Sequence, residues 1–143
     1  MSVQEETLGF SLANVSRLIR RDFERRLQGT ALTLAQARAL VYVSRHEGIR
    51  QVDLADLLEI QPITLVRLID QLADAGLIER RADPDDRRAY QLYLTAHAGP
   101  QLAMVRRVAA AARARALRGF DSEEAAAVMA ALRRMRENLA APE

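Results

Sequence analysis

Apolar residues recur every three or four positions from near the start of the chain. Leu8, Leu12, Val15, Ile19, Phe23 and Leu27 form one stripe, which predicts a long first helix from about Leu8 to Leu27. Its other face carries Arg17, Arg20, Arg21, Arg25 and Arg26, and Gly29 ends it. Thr33 followed three residues later by Gln36 is a capping box for a second helix, about Leu34 to Arg45, with Gly48 as its stop. A short third helix, about Val52 to Leu58, turns Leu54, Ala55 and Leu58 inward. Pro62 then stands at the first position of a fourth helix, where a missing N–H costs nothing, and that helix runs to about Ala75 before Gly76.

From Leu77 the period changes to two. Leu77 to Arg81 and Ala89 to Leu94 read as strands, with Tyr90, Leu92 and Leu94 alternating against Gln91 and Tyr93. Asp83-Pro84-Asp85-Asp86 between them is a polar turn cluster. Thr95 is read as the cap of a fifth helix, about Ala96 to Arg118. Asp121 with Glu124 opens a sixth, whose stripe is Ala125, Val128, Leu132, Met135 and Leu139. The fold class expected is mainly α with a small β-hairpin. The hairpin and the second to fourth helices form a middle lobe at 33–95, flanked by helical segments at 1–32 and 96–143. The flanking stripes exceed what so small a lobe covers, so they are expected to pack together across a dimer axis.

Composition removes several classes of chemistry. Among 143 residues there is no cysteine, so disulfides, thiolate metal sites and cysteine nucleophiles are excluded. Two histidines, His46 and His97, make no metal-ligand spacing and pair with no carboxylate at a catalytic spacing, so neither a metal, a cofactor nor an enzyme is expected. No window approaches the ~18 consecutive apolar residues of a membrane span, and a soluble, cytoplasmic protein is expected. All 21 cations are arginine, against 19 acids, a composition that a GC-rich genome explains as well as function does. Partners must therefore be argued from where the arginines stand.

A short helix, a tight turn, a helix opening with proline and then a charged hairpin is the order of a helix-turn-helix followed by a wing. On the fourth helix, Leu65, Leu68, Ile69 and Leu72 share the core side. Ile63, Val66, Arg67 and Asp70 then fall opposite, with Gln61, Pro62 and Thr64 at the exposed start. A major groove accepts outward Ile63 and Val66 through thymine methyls, while Arg67 suits guanine and Gln61 or Thr64 suit phosphates or base edges. At the hairpin tip, Asp86-Arg87-Arg88 follows Arg80 and Arg81. A tip arginine suits a narrow minor groove, and an adjacent aspartate can hold its guanidinium. From Ile60 to Leu94, however, five arginines face six acids, so attraction to DNA requires that the charges segregate in space.

These residues resemble the MarR family of bacterial transcriptional regulators, with its SlyA-like members most similar. The resemblance lies in Asp53-Leu54-Ala55, in Ile60 through Leu72, and in Ala75-Gly76-Leu77-Ile78-Glu79-Arg80. It continues through Asp83 to Ala89 and in Leu94-Thr95 with Gly99. It implies a winged-helix homodimer that binds a pseudopalindromic double-stranded operator, usually as a repressor. The family's DNA contacts map onto Pro62, Thr64, Arg67 and Arg87, with Asp86 in support and Arg88 bracing the wing. It also implies release by a small phenolic or aromatic carboxylate effector. Arg17 and Arg20 would serve as anion partners, beside Tyr42 and His46, between the first, second and fifth helices.

Pro100 departs from the pattern. Either the fifth helix begins at Gly99-Pro100 or it is kinked there. Two rival classes, an enzyme and a helical adaptor without a DNA role, would both lack salt-dependent binding to duplex DNA.

Overall fold

The computed structural model describes residues 7–143; the first six residues of the predicted N-terminal segment lie outside the described residues. Helix α1 spans Leu8–Leu27, with the Thr7 hydroxyl accepting the Phe10 N–H at 3.3 Å. Helix α2 spans Leu34–Arg45 and opens with the predicted capping box. In it, Thr33 Oγ1 accepts the Gln36 N–H at 3.2 Å and Gln36 Oε1 accepts the Thr33 N–H at 3.0 Å. Strand β1, Ile49–Arg50, leads directly into α3, Gln51–Leu58, and α4 follows at Pro62–Asp74. Strands β2, Ile78–Asp83, and β3, Asp86–Leu94, form the hairpin; α5 is Ala98–Ala116 and α6 is Ser122–Ala140.

The hairpin belongs to a three-stranded antiparallel sheet of order β1-β3-β2, not a two-stranded ribbon. The third strand is only two residues long, pairing Ile49 with Leu92 and Arg50 with Gln91, and so leaves no periodic trace in the sequence. Gly48 before it has φ +87°, and a Cβ there would stand 3.0 Å from the Tyr93 hydroxyl, so both conformation and space require glycine. Both hairpin strands run further toward the tip than predicted, to Asp83 and from Asp86. Polar tip residues can still form a ladder where no core demands alternation. Tyr90 shares the face of buried Leu92, yet it is exposed because the ribbon has by then left the core.

One core fills the space between α2, α3, α4 and the base of the sheet. Leu40, Val43, Leu54, Leu65, Ile69, Leu72 and Leu92 are fully enclosed within it. Leu27 enters from α1, while Ala98, Leu102 and Val105 enter from α5, so both flanking segments are rooted in the middle lobe. Asp22 of α1 adds a polar tie. Its largely buried carboxylate accepts from Arg26 at 2.7 Å, from Arg25, and from Arg115 of α5. Hydrogen bonds from Arg26 and then Arg115 hold this carboxyl down at about 2.

Thr95 is not the cap of α5; His97 occupies that position. The Thr95 hydroxyl instead donates to the Gly76 carbonyl and accepts the His97 N–H at 3.2 Å, stapling the chain after β3 to the end of α4. Helix α5 accordingly starts at Ala98, two residues later than predicted. Pro100 falls in its first turn, where backbone N–H groups have no helical acceptor to lose. Helix α6 opens with the predicted Asp121–Glu124 capping box and buries no residue.

Candidate nucleic-acid interface

Helices α3 and α4 are joined by a turn in which Glu59 adopts φ +54°, ψ +44°, the left-handed region. The turn throws the chain into Gln61, the cap of α4, whose side chain makes no capping hydrogen bond. Pro62 follows at the first helical position. Leu65, Leu68, Ile69 and Leu72 anchor α4 to the core as predicted. That anchoring leaves Gln61, Pro62, Ile63, Thr64 and Arg67 exposed, with Ile63 at 62% of its full accessibility. Val66 is half-buried and so presents less surface than predicted. The uncapped first turn offers free N–H groups and partial positive charge.

At the tip, Asp86, Arg87 and Arg88 are all exposed. Asp86 Oδ1 accepts the Arg88 backbone N–H at 2.9 Å, so its carboxylate shapes the turn and does not grip the Arg87 guanidinium. Arg88 was expected to brace the wing, but Arg80 holds that place. Arg80 Nε donates to Gln51 Oε1 at 2.9 Å, and its Nη2 reaches the Val66 carbonyl at 3.2 Å and Asp70 Oδ1 at 2.7 Å. Arg50 Nε pairs at 2.7 Å with Asp83, a buried carboxylate that also accepts the Asp85 N–H at 2.8 Å. Arg81 pairs with Glu79 and lies 3.9 Å above the Tyr93 ring.

This pairing accounts for half of the six acids. Asp70, Glu79 and Asp83 are each matched by an arginine, Asp74 stands at the far end of α4 from its first turn, and Asp85 and Asp86 stay exposed at the hairpin tip. Among the described residues, the side chains of Arg67, Arg87 and Arg88 have no ion-pair partner. Within residues 60–94 the unpaired arginines therefore sit near the start of α4 and at the hairpin tip. Arg50, Gln51, Asp70, Arg80 and Asp83 form the supporting network, and sequence periodicity does not reveal such long-range pairs.

The predicted effector residues are placed differently. The rings of Tyr42 and His46 stack at 6.4 Å on α2, and Arg17 and Arg20 are exposed on α1. A cleft of about 1030 Å³ opens between α1, the α1–α2 connection and the end of α5. Its lining includes Val15, Ile19, Arg25, Leu32 and Arg115, and none of those four predicted residues. Among the described residues there is no cluster of three or more metal-ligating side chains. No described helix is long and apolar enough to cross a membrane.

The fold and the two exposed cationic ends define a winged helix-turn-helix protein with long flanking helices. Residues 32–90 match the model of the MarR family. The solved structure of MarR is 27% identical, with a TM-score of 0.85 over 97% of this chain and 95% of that one. SlyA shares the fold at 24% identity and a TM-score of 0.77, covering 94% of each chain. A MarR family regulator from Listeria monocytogenes, solved in complex with 26mer DNA, does so at 24% identity and a TM-score of 0.79, over 94% of this chain and 89% of that one. The chain thus carries a segment that matches the MarR family model at residues 32–90, and its fold is similar to that of MarR over nearly its whole length.

Proposed function

We propose that the protein is a homodimeric repressor that binds a pseudopalindromic operator in the cytoplasm. The observation that carries this is where the unpaired arginines of residues 60–94 stand. Arginines beside the core of the wing are neutralised, while Arg67, Arg87 and Arg88 are left free at the two exposed ends. The first turn of α4, with Gln61, Pro62, Ile63, Thr64 and Arg67, enters the major groove, and Val66 lies at the edge of that contact. Arg87 reaches the minor groove on the outer flank, where A·T-rich sequence narrows it. Asp86 and Arg88 shape the tip beside it.

A dimer accounts for the apolar surface of the flanking helices. Leu8, Phe10, Val15 and Leu18 on α1, with Met129 and Leu139 on α6, are each at least half exposed in one chain. In this reading 1–32 and 96–143 form the dimerisation region and 33–95 the DNA-binding unit. A small phenolic or aromatic carboxylate is the effector class, with Arg17, Arg20, Tyr42 and His46 as its partners. Support for it is the Tyr42–His46 aromatic stack and the two α1 arginines without ion partners among the described residues.

Selection from a random duplex pool, followed by footprinting, tests the function. The expected product is an inverted repeat with half-sites about one turn, ~10 bp, apart. Two major grooves on one face should be protected, with minor-groove protection outside them. Selected sequences without a dyad, or a stable species of 16.0 kDa in sedimentation, would refute it.

A further inference from the structure

We propose that Arg80 is a positioning residue for DNA binding: it locks the wing to the recognition helix and so sets where Arg87 is delivered. The inference rests on the DNA-binding function proposed above. Arg80 sits on β2, opposite Leu92, at the base of the wing. Its guanidinium spans three acceptors on two other elements: Gln51 Oε1 on α3, and the Val66 carbonyl and Asp70 Oδ1 on α4. The Val66 carbonyl lies one residue before Arg67, within the half of α4 that would face DNA. Only a planar fork with several donors can engage acceptors so arranged; a lysine ammonium is a compact point donor on a flexible stem.

The lever is long enough for this to matter. Asp83 at the turn lies three residues along the strand from Arg80, about 10 Å at ~3.3 Å per residue. A pivot of about 10° at Arg80 would then move the tip by about 2 Å, more than a hydrogen bond tolerates. Arg50 holds the tip end of the wing through Asp83. The wing is thus fixed near both ends, and among the described residues its polar side-chain ties to the helix that would read the bases come from Arg80, beside the apolar packing of Ile78 and Leu92 in the core. Arg80 is also committed to these partners and its side chain is only 23% exposed, so it is poorly available to touch DNA itself.

The test is a double-mutant cycle on a duplex enriched by the wild-type protein from a random pool. Arg80→Met and Arg80→Lys should each weaken binding roughly tenfold, the loss expected when a preorganised contact is no longer presented. Both should erase minor-groove protection at the flanks while major-groove protection persists. Added to Arg87→Ala, neither should weaken binding further, because Arg80 acts through Arg87. Losses that add in full would overturn the inference, as would wild-type affinity in Arg80→Lys, which would mean that charge alone suffices. Should Arg80→Met fail to fold, Arg80→Lys and Asp70→Asn carry the same cycle. A wild type that enriches no duplex overturns both the function and this inference; a binding wild type with additive losses overturns this inference alone.

Discussion

Arg87→Ala separates contact from folding most cleanly. Arg87 is exposed at the hairpin tip and makes no ion pair among the described residues, so its loss should alter stability by no more than about 0.5 kcal/mol. A dimer presents two copies to each operator. If each sits against phosphates in the minor groove, the variant neutralises two fewer, and the slope of log K against log salt becomes shallower by about 1.8. Between about 50 and 200 mM salt that difference compounds, so the affinity deficit should be roughly tenfold larger at the low end. Fluorescence anisotropy across a salt series measures the slope, and a thermal melt on the same samples checks the fold. Parallel slopes for variant and wild type would show that Arg87 does not meet the DNA backbone field, and the wing would lose its assigned place.

Arg67→Ala should relax preference at one guanine position by ~1–3 kcal/mol, seen in competition against single-base variants; equal loss on all sequences would make it a phosphate contact. Leu132→Glu on the exposed stripe of α6 should shift sedimentation from dimer toward monomer, since it places a charge in an apolar interface. Glu59→Gly should stabilise the fold by about 0.5–1 kcal/mol in denaturant titration, because it relieves a left-handed backbone while adding chain entropy. The Asp22 carboxyl is held at about 2, below its ordinary 3.8, so the unfolded chain binds that proton more readily. Its stabilisation is therefore complete above about pH 4 and is lost as pH falls toward 2. Asp22→Asn should melt with a weaker pH dependence over that window, and an unchanged dependence would show that Asp22 does not carry it.

Much of this protein was legible residue by residue. The bounds of α1 and α2, both capping boxes, the proline start of α4 and its buried face all follow from signals spanning three or four positions. Each of those features is local: a cap is settled by residues within one turn, and a helix face by its own period. The candidate DNA-contacting residues were legible for the same reason, as residues left over once the core face of α4 and the turn of the hairpin were assigned. The Asp22 spacing to Arg25 and Arg26 was also available locally, but its third partner, Arg115, lies on another helix. Strand β1 is too short to show a period, and Thr95 looked like a cap because its real partner, the Gly76 carbonyl, is remote in sequence. Which arginines are free was beyond any local pattern. Arg80 differs from Arg87 and Arg88 in what the folded chain brings near it: Asp70 and Gln51 come within its reach only when the sheet packs beside α3 and α4, whereas the Glu79 partner of Arg81 lies two residues away on the same strand. Local periodicity sets which face of an element is buried. Long-range packing sets which charges meet, and so which remain for a partner.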